Sequence, residues 1–183
     1  MATSAFYEAG PLEQVAINLF YGWGYNFYRK ENQLRADDQL IRSKVGALLG
    51  SARKSVETAE ADYRREFLPP PSREKPRPDA TAVAGAQTLE RLSRAIGALT
   101  GLIISQPVPE NNRMIQRHRQ EAETLQRLIE SDQKLTGQAE LLRTMVDQKP
   151  GAWLIENVTA LQEGVNAIGE TLKARQMLLF PPV

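Results

Sequence analysis

An all-α fold, an antiparallel bundle of four to five long helices with a proline-rich crossover, is what this sequence of 183 residues predicts. Three observations predict it. Glycine and proline, 12 and 11 residues, gather in a few clusters that punctuate the chain. Between the clusters lie runs of about 58, 27, 40 and 30 residues in which apolar positions recur every three or four residues. No run alternates with the period of two that a half-buried strand requires. The chain then reads as one domain over residues 1–183, with a tail at 1–10, a linker at 69–79 between two helical halves and a second tail at 178–183.

The first run opens at Gly10-Pro11, where proline suits a first helical turn. Leu12, Ala16, Leu19, Trp23 and Phe27 share one helical face. Further on, Ile41, Val45, Leu48, Ala52, Val56, Ala59, Tyr63 and Phe67 are spaced 4-3-4-4-3-4-4, an eleven-residue repeat that fits a nearly straight helix. One helix of about 58 residues would be about 87 Å long, more than a domain of this size can cover. A stop near Asn32 is therefore expected, with a restart at Asp37 as N-cap before Asp38-Gln39-Leu40.

Pro69-Pro70-Pro71 ends that run and begins the polar linker, which closes at Asp79. The third segment uses Leu89, Leu92, Ile96, Leu99 and Ile103, and residues 95–104 are apolar nearly all round, so this segment is expected at the centre. Ser93, Gly97 and Gly101, four apart, would let another helix approach closely. After Pro107 and Pro109, segment four uses Met114, His118, Ala122, Leu125 and Ile129, then shifts to Leu135, Ala139, Leu142 and Val146. Gly137 stands near that change of phase and is the expected kink or break. Lys149-Pro150-Gly151 makes the next interruption. Leu154, Val158, Leu161, Val165, Ile168 and Leu172 then run 4-3-4-3-4, the seam of left-handed bundle packing.

Composition removes several classes of function. Apolar residues are 42% and charged residues 25%, a globular balance that argues against wholesale disorder. There are 23 basic and 22 acidic side chains, a net charge of +1, so the chain lacks the basic footprint of an autonomous nucleic-acid binder. Without cysteine there can be no disulfide, thiolate zinc site or cysteine nucleophile, and a single histidine excludes any site that needs two. The N-terminal residues lack the basic start and apolar run of a signal peptide. The most apolar stretch is ten residues, against about 20 for a membrane span. A cytoplasmic protein with no membrane span is expected.

The least ordinary segment is residues 19–30, LFYGWGYNFYRK, which holds six of the twelve aromatic residues. On a helix Phe20, Trp23 and Phe27 point one way, while Tyr21, Tyr25 and Tyr28 cover the neighbouring side. Such a cluster can be a wide core face. That is the ordinary reading, and the alternative is a partner-binding surface of Phe20, Tyr21, Trp23, Tyr25 and Tyr28, because Tyr and Trp bury large areas at small entropic cost. A second pattern is a line of arginines, Arg35, Arg42, Arg53 and Arg64, spaced 7, 11 and 11 on one side of the long helix. Arginines flanking an apolar stripe ordinarily cover its edge and pair with acids such as Glu57 and Glu60. The same line would serve as a track for phosphates.

His118 sits on the inward stripe of segment four, three residues before Glu121, but no Glu-x-x-His occurs and no metal site is expected. Phosphate-loop, dinucleotide, nucleophile-elbow and zinc-protease motifs are all absent, and no cofactor is expected. Asp37-Asp38 fits a helix cap better than a catalytic pair. These readings converge on a non-enzymatic helical interaction protein: a subunit, adaptor or assembly factor that binds a protein partner or a second copy of itself. The alternative is a small helical subunit of a ribonucleoprotein that lies on the RNA or DNA backbone through Arg35, Arg42, Arg53 and Arg64.

Overall fold

The structure, a computed structural model, describes residues 9–25, 33–73, 76–106 and 122–179. Among them are six helices and no strand: α1 (Ala9–Trp23), α2 (Gln33–Phe67), α3 (Ala80–Ser105), α4 (Ala122–Val146), α5 (Gly151–Glu156) and α6 (Val158–Leu179). The all-α bundle expected from the periodicity is the fold observed.

Local chemistry sets most of the boundaries. Gly24 follows α1 at φ 74°, the left-handed conformation that closes helices and that costs glycine nothing. The first helix therefore stops at Trp23, well before Asn32, which itself lies outside the described residues. No restart occurs at Asp37. The second helix runs unbroken through it for 35 residues, about 52 Å, and Asp37 is buried inside rather than capping an end. Asp79 does cap a helix: its Oδ1 accepts from the backbone N–H of Thr81 at 3.1 Å and sets the start of α3. Between α2 and α3, none of the described residues of the proline-rich stretch is helical.

The break at Lys149-Pro150-Gly151 falls where expected. It is preceded by Gln148 at φ 52°, an uncommon conformation for a residue with a side chain. The last segment is not one helix but two. Asn157 turns its side-chain Nδ2 back onto the carbonyl of Trp153 at 2.9 Å, and this bond competes with the regular ladder between α5 and α6.

Contacts at opposite ends give the directions. Arg64 meets Glu90 at 3.5 Å while Arg42 donates to the Gln106 carbonyl at 2.6 Å, so α2 and α3 are antiparallel. Gly151 packs against Ala59 and Arg175 meets Asp38, so α5 and α6 run back along α2. Leu12 lies on Gly137 and Tyr25 on Asp132, which sets α1 antiparallel to α4. Thus α1, α3 and α6 descend while α2 and α4 rise.

Two expectations are overturned by this packing. Helix α4 is continuous through Gly137, so no break occurs there. A Cβ there would stand 2.5 Å from the backbone oxygen of Leu12, so this glycine is where α1 crosses α4 at backbone distance. Nor does α3 occupy the centre. It buries the stripe of Leu89, Leu92, Ile96, Leu99 and Ile103, while the rest of its apolar half faces outward, with Leu102 at 44% and Ile104 at 67% exposure. Helices α2, flanked by α3, α4 and α5, and α4, flanked by α1, α2 and α6, share the centre.

Candidate functional site

Helices α4 and α6 each carry a charged residue in an otherwise apolar seam. In α4, Leu125, Leu128, Asp132, Leu135, Ala139, Leu142 and Val146 follow one 3-4-3-4-3-4 register, and Asp132 is fully buried within it. In α6 the position after Leu172 in the same register is Arg175, also fully buried. Helix α2 adds Asp38, which is 1% exposed and lies one turn before Ile41 on the inward stripe.

These residues meet. Arg175 donates through Nε to Oδ1 of Asp132 at 2.5 Å and through Nη1 to Oδ1 of Asp38 at 2.8 Å. The Tyr25 hydroxyl donates to the other Asp132 oxygen at 2.7 Å. Arg42 stands 2.9 Å from Oδ2 of Asp38, and its Nη1 donates to the Gln106 carbonyl that follows α3. A cation beside the C-terminal carbonyls of a helix is itself favourable. Two arginines and two aspartates thus neutralise one another in a space closed to water, where an unpaired charge would cost several kcal/mol. The cluster ties together the end of α1, the first turns of α2, the end of α3, the middle of α4 and the last turns of α6. Chemically it is a clamp, because each carboxylate is engaged by a guanidinium and neither is offered to a substrate. Among the described residues, no group of three or more His, Cys, Asp or Glu is placed to hold a metal ion.

Of the five aromatics expected at a partner surface, two lie inside the bundle. Phe20 and Tyr25 are core residues, 2% and 6% exposed, with their rings 4.4 Å apart. The chain turns at Gly24, which folds Tyr25 back under Phe20 instead of leaving it on the neighbouring face of a continuous helix. Trp23 is half-buried, 6.1 Å from Phe20, with Lys44 Nζ 5.7 Å from its ring. Tyr21 is 86% exposed, and Tyr28 lies outside the described residues, as do Phe27 and His118.

The arginine line is also divided. Arg42 is buried in the clamp, and the side chain of Arg35 lies outside the described residues. Arg53 is held by Glu57 at 2.7 Å, and Arg64 by Glu60 at 2.7 Å and by Glu90. Ser93 donates to Glu57 at 3.2 Å and Gly97 makes room for the Arg53 guanidinium, whereas Gly101 faces open space. Small residues on α3 therefore seat a salt bridge rather than another helix.

Outside the clamp the rim is apolar. Among the described residues the exposed large hydrophobic side chains are Tyr21, Phe67, Leu102, Ile104 and Met177. All but Phe67 lie on α1, on the last turns of α3 or on the last turn of α6, at the clamp end of the bundle. A groove of about 580 Å³ runs there between α2 and α3, lined by Gln39, Arg42, Ser43, Gly46, Ala47, Ile104 and Gln106. The other end carries a cleft of about 630 Å³ between α2 and the Asp147-Gln148 turn, with Lys54, Asp62, Tyr63 and Lys149 among its lining residues. On α4, the hydrogen bonds that Arg143 donates to the Glu140 carboxylate raise its guanidinium above its usual value. No helix among the described residues is long and apolar enough to cross a membrane.

Sequence reasoning missed Asp132 and Arg175. The signal was present as a seam whose register continues through a charged residue, once in α4 and once in α6. No family model, curated protein or solved structure matches this chain.

Proposed function

We propose that the chain is a non-enzymatic helical interaction protein, a subunit, adaptor or assembly factor of a larger complex, and that it meets its partner at the clamp end. One observation carries this reading: exposed Tyr21, Leu102, Ile104 and Met177 gather where the interior is charged. Interfaces are built from such aromatic and aliphatic anchors, with charge kept away from their centre. Phe20 and Tyr25, held inside, position α1 and do not contact the partner. Arg53 and Arg64, each held by glutamate, contribute solubility.

The test is affinity purification of the tagged full chain from its native host, with and without nuclease. A stoichiometric protein partner that survives nuclease is expected. The pair Leu102→Ser and Ile104→Ser should release that partner with an unchanged melting temperature, while Phe67→Ser should retain it. Partners that leave with the nucleic acid would replace this reading with the ribonucleoprotein one. Retention by the Leu102 and Ile104 variant would remove these side chains from the contact.

A further inference from the structure

Helix α1 carries one charged residue, Glu13, in fifteen, and no lysine or arginine. Leu12, Ala16 and Phe20 face the core. On the opposite side lie Gln14, Ile17, Asn18 and Tyr21, spaced i, i+3, i+4, i+7 as in a helix-packing ridge. Gln14, Asn18 and Tyr21 are exposed and Ile17 is half-exposed. The Gln14 amide donates to Asn18 Oδ1 at 3.1 Å, so the polar pair is satisfied along the ridge itself. Glu13 stands at its flank. The outward faces of the other long helices are charged: Lys54 and Arg65 on α2, Arg91 and Arg94 on α3, Glu130 and Lys134 on α4, Glu163 and Lys173 on α6.

We infer that this ridge seats a second copy of the same chain, the two α1 helices packing antiparallel across a two-fold axis near Ile17 and Asn18. The inference rests on reading the chain as an interaction protein, and it names one partner. A two-fold contact sets each side chain against the same set of side chains, so any charge near the axis meets its own sign. A ridge of Gln, Ile, Asn and Tyr satisfies that condition, and α1 is the helix that provides it. A charged partner would find no counter-charge there, and a lipid surface would find no basic flank. The ridge is also rigid, because Leu12 rests on Gly137 at backbone distance and Tyr25 anchors the far end to Asp132. A helix about 22 Å long offers less than the roughly 800 Å² per partner of a standard interface, so the self-association is expected to be weak.

Sedimentation equilibrium of the purified full chain, from about 1 to 300 µM, tests this. A monomer–dimer equilibrium is expected, weakened at least about 30-fold by Asn18→Lys and equally by Asn18→Glu, since each places like charges across the axis. Mixing the two variants should restore the dimer, a rescue that a misfolded variant cannot give. Tyr21→Ala should weaken it as well, and Leu102→Lys should leave it intact. A wild-type monomer at every concentration overturns the inference, and so does a dimer that persists in both Asn18 variants. If Leu102→Lys alone abolishes the dimer, the α1 ridge is excluded while the interaction reading stands. If no protein partner is captured yet the Asn18 rescue succeeds, the chain is a self-associating bundle only.

Discussion

At the end of the bundle where α4 turns into α5, Leu89 and Ala59 close around Gly151, and the surface above them is laced with exposed ion pairs such as Arg65–Asp62 and Arg94–Glu90. At the end where α6 finishes, Arg175, Asp132, Asp38 and Arg42 are inside, and Tyr21, Leu102, Ile104 and Met177 are outside. The same kinds of residue are used in inverted positions. At the first end, burying apolar area drives packing, at about 25 cal/mol per Å², and is indifferent to which aliphatic meets which. At the second, each charge has to find its partner or lose several kcal/mol, so the clamp discriminates between registers while adding little net stability. The contrast separates a region that holds the bundle together from one that sets how its helix ends align.

The difference can be broken from its strongest point. Arg175→Ala should cost about 3–5 kcal/mol in urea denaturation, because it removes the guanidinium that neutralises Asp132 in the interior and leaves Asp38 with Arg42 alone. Replacing Arg175, Asp38, Asp132 and Arg42 together by Met and Leu should leave stability unchanged or raise it by about 1–4 kcal/mol. A loss as large as that of the single variant would mean that the clamp is a source of stability after all. Tyr25→Phe should cost about 1.5–3 kcal/mol, the range for a hydrogen bond to a charged group, with the ring still packed on Phe20. The smallest effect belongs to the other end. Arg65→Ala removes an exposed pair, should cost less than about 1 kcal/mol, and that cost should vanish at high salt while the Arg175 effect remains.

Most of the fold was legible because apolar spacing reports which face of a helix is buried. The buried stripes from Ile41 to Ala59 and from Leu161 to Leu172 were read at the correct period, and the Lys149-Pro150-Gly151 break was placed correctly, whereas Phe67 is exposed and the last segment divides at Asn157. The clamp was hidden by the same rule. Counting apolar residues alone made Asp132 look like a slip of phase between Ile129 and Leu135, and led to an expected kink or break at Gly137, where the helix is continuous. Asp37 and Asp38, acidic residues after a polar patch, resembled a cap because Arg175, which donates to Asp38, lies 137 residues beyond it. Locally, a buried aspartate and a capping aspartate are indistinguishable until that partner is known. Tyr25 was misplaced because a single left-handed glycine redirects it.

The sequence distances within the clamp have a kinetic consequence. Beyond the local Asp38–Arg42 pair, its bonds join residues 43, 64, 107 and 137 positions apart, whereas the α2–α3 hairpin at the opposite end is closed by Arg64 and Glu90, nearer in sequence than all of these. Closing long loops is entropically costly until the chain between them is ordered, so the hairpins should organise first and the arginine–aspartate contacts last. Substitutions at Arg175 and Tyr25 would then accelerate unfolding and leave the folding limb of the chevron almost untouched. On this account the apolar rim belongs to the part of the molecule that opens most readily, and a bound partner would act as a brake on unfolding, applied where the native state is slowest to form.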